Sequence, residues 1–413
     1  MSSATPGPAD NETATAPPHS HRASLSAIDL GFDPGILDAW LHANIPGAQG
    51  LLEITPIVGG QSNPTFFVTY PGRRIVLRKR PAGTLLPSAH AVDREHRIMA
   101  ALKDSGVPVP DMLACYPGSD VVGTPFYVMD RLEGRVFSDC SLPGVLPTDR
   151  RAMYFDMANM LARLHRVQWQ ALGLADYGPE GNFFARQIKR WSKQWALSKN
   201  RQSPDIDRLM LWLPTHVPAG DQTTIAHGDY RIGNLMFHPT QPRIVGVLDW
   251  ELSTLGHPLS DLAYSALAWD LLPTEYMGMH GLDHARLGIS GQDAYLARYC
   301  AGSPDAGEIS AFHKVFSLFR LAVIFEGIAA RAQWHLGFRR CIARWRNERW
   351  FRAPGYRGDR RCCVTLIKAQ RAAWQQDHKV AQGTNRQCAL LVINNNGDSS
   401  HEFHSCARHL RTA

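Results

Sequence analysis

The chain has 413 residues, of which 44% are hydrophobic and 20% are charged, and a formal net charge of +7. This length is ample for a large core, and no apolar run reaches the roughly 18 residues of a membrane span, so none is expected. Residues 331–413 carry sixteen Lys and Arg against five Asp and Glu, or +11, which leaves −4 for residues 1–330. Nucleic acid is therefore not expected as a partner of the main domain.

Residues 1–25 are rich in Ser, Thr, Ala and Pro and lack the basic-then-apolar plan of a signal peptide, so we interpret them as a disordered leader. Without a secretory signal, the eight cysteines are expected to be reduced thiols in a cytoplasmic protein. No CxxC pair occurs among them, which argues against a zinc ribbon.

The first predicted elements are two strands, at residues 51–58 and 65–70, separated by a turn. A hairpin tip with glycines and small polar residues can place backbone N–H groups over phosphate oxygens. The candidate phosphate-binding positions in this turn are Gly59, Gly60, Ser62 and Asn63. An ordinary hairpin without a ligand is the alternative interpretation, because the turn does not contain a full GxGxxG.

A third strand is predicted at residues 73–79, and strand alternation places Arg78 and Lys79 on opposite faces. The helix predicted at residues 88–102 carries Glu95, which is a natural ion-pair partner for Arg78. Lys79 takes the place of Arg78 if the register slips by one residue. The alternative interpretation is a solvated strand together with a surface ion pair within the helix.

Two short motifs in the second half of the chain are the most informative feature. His-Gly-Asp-Tyr-Arg-Ile-Gly-Asn occupies residues 227–234, and Val-Leu-Asp-Trp-Glu occupies residues 247–251. Asn234 follows Asp229 by five positions, and Asp249 follows it by twenty. Short apolar strands and a turn lie between them, so we expect a hairpin that brings all three polar side chains to one place.

This trio matches what phosphoryl transfer from Mg-ATP to a hydroxyl requires. We predict that Asp229 orients the acceptor and takes its proton, and that Asn234 and Asp249 hold the Mg²⁺. The alternative is a hairpin with solvated acidic residues. One short segment offers every expected polar residue in order, which favours the catalytic interpretation.

The motif HGDxxxxN followed by LDWE resembles the aminoglycoside phosphotransferase and choline kinase group, which are small-molecule kinases. The resemblance is closer to the phosphotransferase-like domains related to the N-terminal region of some acyl-CoA dehydrogenase family members. The segments that carry this closer likeness are residues 77–81 (LRKRP), 86–90 (LPSAH), 93–95 (DRE) and 256–263 (GHPLSDLA).

The resemblance implies an α+β, protein-kinase-like bilobal fold with a small antiparallel-sheet N-lobe at residues 26–133 and a mainly helical C-lobe at residues 134–334. It places Arg78 where protein kinases have a phosphate-binding Lys, paired with a helix Glu at position 95. It also implies that a linker after the last strand of the N-lobe binds adenine. The candidate adenine contacts are Met129, Asp130 and Leu132.

Residues 335–413 form an atypical basic tail, rich in Arg, Trp and Cys and without helical periodicity. A basic RNA-binding or regulatory extension is one interpretation. We favour a frameshift, because a shifted reading frame with free choice of degenerate bases permits a segment that resembles a closing helix. On this hypothesis the tail is poorly ordered and the last helix of the domain is missing.

The sequence therefore predicts an ATP- and Mg²⁺-dependent phosphotransferase that acts on a hydroxyl of a small metabolite. The branch that it resembles suggests a hydroxylated acyl compound or another metabolite more than an antibiotic. The alternative is a catalytically silent nucleotide-binding or scaffold protein of the same fold, which Arg at position 78 and the aberrant tail allow.

Overall fold

The computed structural model of the protein describes residues 30–57, 63–83, 91–199 and 202–334, with the main chain alone for residues 329–334. The expected leader at residues 1–25 and the tail at residues 335–413, with its frameshift hypothesis, lie outside the described residues. The same holds for three of the candidate phosphate-binding residues, Gly59, Gly60 and Ser62.

Helices and strands are mixed in the part of the chain that the structure describes, and the expected α+β class is confirmed. The α-helices are α1 (Pro34–Asn44), α2 (Val92–Leu102), α3 (Pro147–His165), α4 (Phe183–Ser198), α5 (Pro204–Trp212), α6 (Pro258–Asp270), α7 (His284–Leu287), α8 (Gln292–Gly302) and α9 (Ala311–Trp334). The strands are β1 (Glu53–Pro56), β2 (Thr65–Tyr70), β3 (Arg73–Lys79), β4 (Met112–Tyr116), β5 (Phe126–Asp130), β6 (Arg135–Val136), β7 (Thr224–Ala226), β8 (Leu235–Phe237), β9 (Ile244–Val247) and β10 (Thr254–Gly256).

Strands β1 to β5 form an antiparallel sheet in the order β1-β2-β3-β5-β4. The bounds of β2 and β3 agree with the strands that the sequence predicts. In β2 the side chains of Phe66, Val68 and Tyr70 are buried and the residues between them are less so, which is the period-2 pattern of a strand with one face on a core.

The two faces of β3 pack on different parts of the molecule. Ile75 and Leu77 belong to the apolar cluster that α1 covers. The ammonium group of Lys79 lies on this side as well, 5.0 Å above the Phe32 ring, where it donates to the backbone oxygen of Val122. Arg78 projects from the other face, so Arg78 and Lys79 occupy opposite sides of the sheet, as strand alternation predicts.

Helix α2 lies against β4 and β5 and is amphipathic. Its buried residues are Val92, Glu95, Ile98, Met99 and Leu102. Four of these five are apolar and recur at helical spacing, as expected for a face turned to a core. A carboxylate on that face must find charged or hydrogen-bonding partners, so Glu95 marks the point where α2 meets the polar site.

The two motif segments lie on short antiparallel strands. Strands β6, β8 and β9 form one small sheet, and β7 pairs with β10 in another. The loop of the first motif leaves β7 and enters β8, and the second motif follows β9. Helix α6 comes next and is buried along most of its length, so it offers a rigid support beneath both loops.

The described residues divide into two compact units, one within residues 1–183 and 220–308 and the other within residues 184–219 and 309–413. In the second unit, the ring of Phe184 makes edge contacts with Phe312 and Phe316, at centroid distances of 5.1 and 5.3 Å. Among the described helices, none combines the length and the apolar character that crossing a membrane requires.

Candidate active site

Asp229 lies in the loop that follows β7, and the shape of this loop depends on Gly228. Gly228 has a φ of 82°, in the left-handed region that favours glycine. A Cβ atom at this position would also lie 2.5 Å from the backbone oxygen of Leu252. The glycine of the His-Gly-Asp motif is therefore required both by backbone conformation and by close packing.

Three donors converge on the carboxylate of Asp229. The Tyr264 hydroxyl donates to Oδ1 at 2.7 Å. The side-chain nitrogen of Asn234 donates to Oδ2 at 2.7 Å, and Arg231 Nε donates to the same oxygen at 3.2 Å. These contacts hold the carboxylate in one orientation while 18% of the side chain stays exposed.

The guanidinium of Arg231 is charged in this setting. Burial alone would lower its pKa, but the nearby carboxylate of Asp229 outweighs that effect and raises the pKa above its ordinary value. Arg231 therefore gives the loop a fixed positive charge next to Asp229.

Asp261 of α6 anchors the loop from below. Its Oδ2 accepts from the His227 amide at 2.6 Å, and its Oδ1 accepts from the Gly228 amide at 2.9 Å. Burial raises the pKa of this fully enclosed carboxyl, but the contact with His165 and the amide hydrogen bonds more than offset it, and the pKa lies below its usual range. Asp261 is thus an ionised structural anchor.

The imidazole of His227 joins the two motifs. Its Nδ1 accepts from the Asp229 amide at 3.2 Å, so the ring proton lies on Nε2, which donates to the backbone oxygen of Leu248 at 2.9 Å. Leu248 immediately precedes Asp249. A buried histidine therefore fixes the distance between the loop of Asp229 and the turn of Asp249.

Strand pairing brings Asn234 next to Asp249. The Leu248 amide donates to the Asn234 backbone oxygen at 2.9 Å, and Leu235 lies opposite Val247 in the β8–β9 ladder. Asp249 itself has φ 64° and ψ 63°, a left-handed conformation that is rare for a residue other than glycine. Such strain at the end of a strand is common at functional sites.

The amide of Asn234 has a defined orientation. Its nitrogen donates both to the backbone oxygen and to the carboxylate of Asp229, at 2.9 and 2.7 Å, so its Oδ1 faces away from them. Among the described residues, no group of three or more His, Cys, Asp or Glu could hold a metal ion. One amide oxygen and one carboxylate remain, and this small set of hard donors fits Mg²⁺, which fills its other positions with water and phosphate.

Arg78 connects the sheet to the second motif. Its Nε lies 2.8 Å from Glu95 Oε2, and its Nη2 lies 3.0 Å from Asp249 Oδ1 and 3.7 Å from Glu251 Oε2. Burial by itself lowers the pKa of Arg78, but these carboxylates, Glu95 above all, raise it beyond its ordinary value. Arg78, rather than Lys79, is therefore the β3 cation that meets Glu95.

Glu95 has two further partners. The Asn63 side chain donates to its Oε1 at 2.6 Å, and the Tyr127 hydroxyl donates to its Oε2 at 3.0 Å. Burial raises the pKa of Glu95, and the charge of Arg78 and these hydrogen bonds oppose that rise. The side chain of Asn63, which the sequence predicts in a phosphate-binding turn, is thus buried against Glu95.

The three candidate adenine contacts differ in whether their backbone amides are already hydrogen-bonded. Met129 and Asp130 lie within the sheet, where the Asp130 amide donates to Asp111 O at 2.9 Å and its carboxylate pairs with Arg73 at 2.7 Å. The amide of Leu132 makes no hydrogen bond to any residue that the structure describes. The structure therefore sets Leu132 apart from the other two candidate adenine contacts.

A narrow recess opens beside Asp229, and its walls include Arg231 and Tyr264, the side chains that bind this carboxylate. Apolar side chains, among them Met157, Leu271 and Met277, form much of the remaining wall. No Asp or Glu belongs to the lining within the described part of the chain, so Arg231 sets its charge.

Sequence reasoning missed several of these residues. Arg231 lies two positions after Asp229 in the motif itself, which is a signal that could have been used. Tyr264 and Tyr127 lie far from the motifs in sequence, and a tyrosine within an apolar helix or strand carries no pattern that separates it from core residues.

Comparison with known proteins identifies the family of the chain. Residues 53–309 match the model of the phosphotransferase enzyme family (APH). Acyl-CoA dehydrogenase family member 10 of Mus musculus is 43% identical over 290 residues, which are 69% of this chain and 27% of that protein. The chain spans well under half the length of the curated relatives that it matches.

Two solved structures define the fold. A Ralstonia eutropha protein provisionally named an aminoglycoside phosphotransferase is 40% identical, with a TM-score of 0.67 over 84% of this chain and 99% of that one. Choline kinase from Cryptosporidium parvum has a TM-score of 0.51 at 14% identity, over 85% of this chain and 97% of that one. The chain belongs to the phosphotransferase enzyme family, and the protein-kinase-like fold expected from its motifs is confirmed.

Replacing the anchor Asp261 with Asn should lower the free energy of unfolding by about 2–4 kcal/mol at pH 7, because a buried pair of amide donors and His165 lose their charged partner. A carboxyl whose pKa is lowered by folding stabilises the folded state at pH values above its pKa in the unfolded chain, which is about 3.9 for Asp. The difference between wild type and variant should therefore be constant above about pH 5 and shrink as the pH falls below about 4.

Urea unfolding at several pH values measures this difference. Asp104→Asn is the control, because Asp104 is exposed. Equal stability of wild type and Asp261→Asn at pH 7 would contradict the anchoring role.

Proposed function

We propose that the chain is an ATP- and Mg²⁺-dependent kinase that transfers the γ-phosphate to a hydroxyl of a small metabolite. One observation carries the proposal: two lines of polar contacts lie side by side. The first runs from Glu95 through Arg78 to Asp249, and the second joins Asn234 to Asp229. The hydrogen bond from the Leu248 amide to the Asn234 backbone oxygen holds the two lines together, and between them they contain every residue type that phosphoryl transfer uses.

Asp229 is the proposed base. Tyr264, Arg231 and Asn234 fix its carboxylate by three hydrogen bonds, so little reorganisation is needed when an acceptor hydroxyl arrives. The partly exposed carboxylate accepts a hydrogen bond from the acceptor hydroxyl and orients its oxygen towards the γ-phosphorus. It takes the proton as the new P–O bond forms, the bond between the γ-phosphorus and the bridging oxygen breaks, and ADP leaves.

Asn234 Oδ1 and the carboxylate of Asp249 are the proposed Mg²⁺ ligands. When bound, the ion would supply the positive charge that neutralises the charge developing on the phosphate oxygens. The contacts of Asn234 with Asp229 keep its oxygen turned away from that carboxylate, and the left-handed turn at Asp249 sets the direction of the second ligand. The strain at Asp249 thus has a functional explanation.

Arg78 is the proposed phosphate-binding cation. Its guanidinium offers a fork of donors, and Glu95 holds it in place from the side of α2. Gly59, Gly60, Ser62 and Asn63 remain the proposed hairpin that covers the phosphates. For Asn63, any such contact uses the backbone, because its side chain binds Glu95.

Leu132 is the proposed donor to adenine. Among the three candidates its amide is the one outside the sheet, and a Cβ atom added at Gly246 of β9 would lie 2.5 Å from its Cδ1, so the linker passes close to the β8–β9 hairpin. Met129 and Asp130, shortly before it in the chain, are the other two proposed adenine contacts.

The recess beside Asp229 is the proposed site of the acceptor hydroxyl. The recess has a volume of only about 30 Å³, so it suits the hydroxyl-bearing end of an acceptor rather than a whole molecule, and the charge of Arg231 in its wall disfavours a cationic group there. The mouse relative is named as an acyl-CoA dehydrogenase family member, which also supports an acyl metabolite. Acceptor specificity is therefore best examined with hydroxylated acyl compounds beside choline and aminoglycosides.

Asp229→Ala should reduce acceptor-dependent ADP release by about 10²–10⁴-fold, because the acceptor loses its base and its orientation. The affinity for Mg-ATP should fall much less, since Asn234 keeps its hydrogen bond to the backbone oxygen of residue 229 and the contacts of Arg78 and Asp249 do not involve Asp229. Coupled ADP detection and calorimetry measure the two quantities. Unchanged turnover in this variant would refute the assignment of Asp229.

Asp249→Ala should weaken Mg-dependent nucleotide binding by about tenfold or more, which corresponds to about 1.4 kcal/mol. The reason is the loss of the carboxylate that holds the ion between protein and phosphates. Titration of ATP with and without Mg²⁺ separates the metal-dependent part. Retained Mg²⁺ dependence in the variant would argue against the metal role, and the exposed Asp104→Asn serves as the control.

Arg78→Met and Lys79→Met form a matched pair, because they remove neighbouring cations from opposite faces of one strand. Arg78→Met should weaken Mg-ATP binding by about 10- to 100-fold, since charge-assisted hydrogen bonds are worth about 1.5–3 kcal/mol. Lys79→Met should leave the affinity unchanged. The reverse order of effects would overturn the assignment, and the Arg78→Met, Glu95→Gln double variant removes the unpaired buried carboxylate if the single variant unfolds.

A further inference from the structure

Helix α2, which carries Glu95, is fastened to the body of the protein by its neighbour Arg94. Arg94 Nη2 donates to the backbone oxygen of Tyr177 at 2.7 Å, and its guanidinium lies 4.2 Å above the Tyr177 ring. Arg94 therefore binds both the main chain and the side chain of one residue, which lies 83 positions away in sequence.

The buried phenol of Tyr177 links Arg94 to the turn that follows Asp249. Its oxygen lies 2.7 Å from Ser253 Oγ, and Ser253 uses its own proton to donate to the Trp250 backbone oxygen at 2.6 Å. The Tyr177 hydroxyl also lies 3.3 Å from the Arg94 backbone oxygen, and with Ser253 donating to Trp250 its single proton goes to Ser253 at the shorter distance. Ser253 and Trp250 belong to the turn that immediately follows Asp249.

Close packing supports the connection. A Cβ atom at Gly178 would lie 2.5 Å from Thr254 Oγ1 and 3.0 Å from the Leu255 amide, so the chain after Tyr177 presses directly on β10. A second tether, from Arg97 to the Gly173 oxygen and the Asp176 carboxylate, lies on the exposed side of the same helix. The segment at residues 173–178 is thus held by α2 on one side and by β10 on the other.

We propose that Arg94, Tyr177 and Ser253 form a positioning clamp that fixes Glu95 relative to the Asp249 turn and thereby sets the affinity for Mg-ATP. The inference rests on the proposed function. Glu95 holds Arg78 in position, and Arg78 contacts Asp249. The distance between α2 and the Asp249 turn therefore decides whether Arg78 and the proposed metal ligand Asp249 can act on the same phosphate group. A small shift in such a distance is costly, because positioning contributes much of the rate in phosphoryl transfer.

Tyr177→Phe keeps the ring beneath Arg94 and removes the contacts of the hydroxyl with Ser253 and with the Arg94 backbone oxygen. The Kd of Mg-ATP, measured by calorimetry on the full chain without any acceptor, should rise about fivefold, which converts to about 1 kcal/mol. Ser253→Ala removes the acceptor of the same hydrogen bond and should give a rise of similar size. It also serves as the second variant if Tyr177→Phe fails to fold.

Tyr295→Phe is the matched control. Tyr295 is buried and forms an equivalent tyrosine–serine pair with Ser265 at 2.9 Å, away from α2. Both Tyr→Phe variants should lose similar stability in urea, but only Tyr177→Phe should lose nucleotide affinity. Equal losses of affinity in both variants, or none in Tyr177→Phe, would overturn the clamp.

A double-variant cycle tests whether the clamp acts through Glu95. In a Glu95→Gln background, Tyr177→Phe should change the Kd by less than about twofold, because the helix no longer positions Arg78 through a charge. A full effect in that background would overturn the inference. Wild type that does not bind Mg-ATP overturns the proposed function itself, whereas wild-type binding with an unaffected Tyr177→Phe overturns the clamp alone.

Discussion

The need to neutralise one buried carboxylate, Glu95, organises the N-terminal part of the candidate site. Glu95 is 1% exposed, and removal of a carboxylate from water costs several kcal/mol unless it is paired. Three side chains pair with it: Arg78 of β3, Tyr127 of β5, and Asn63 from the segment before β2. Because Arg78 also reaches Asp249, the pairing that allows α2 to pack on the sheet also draws the second motif towards it.

The same division between buried and accessible carboxylates runs through the whole site. The side chains of Glu95 and Asp261 are almost completely buried, and each is surrounded by hydrogen-bond donors that it orients. Those of Asp229 and Asp249 are 18% and 33% exposed. The enclosed carboxylates hold loops and a helix in place, and the accessible ones are those that the proposed function assigns to metal and acceptor. Rigid support beneath partly exposed groups is the arrangement expected where positioning performs most of the catalysis.

The sequence predicted those parts of the site in which local pattern and chemistry coincide. The polar residues of the two motifs lie on one short hairpin, and strand alternation alone placed Arg78 and Lys79 on opposite faces. The buried tyrosines 127, 177 and 264 escaped prediction, because their partners are 32, 76 and 35 positions away and only the tertiary fold brings them together. Strand β4 was also missed, since its residues are partly exposed without the period-2 alternation that marks a strand.

Transfer of a phosphoryl group from ATP to a hydroxyl at this site can be observed directly by ³¹P NMR. The protein is incubated with Mg-ATP and pooled hydroxylated acceptors: hydroxy fatty acids, their CoA esters, choline and aminoglycosides. A new phosphate monoester resonance should grow in step with ADP and be absent without the acceptor. Saturating Mg-ATP binding with no monoester from any pool would contradict phosphoryl transfer at this site and would favour a silent nucleotide-binding protein of the same fold.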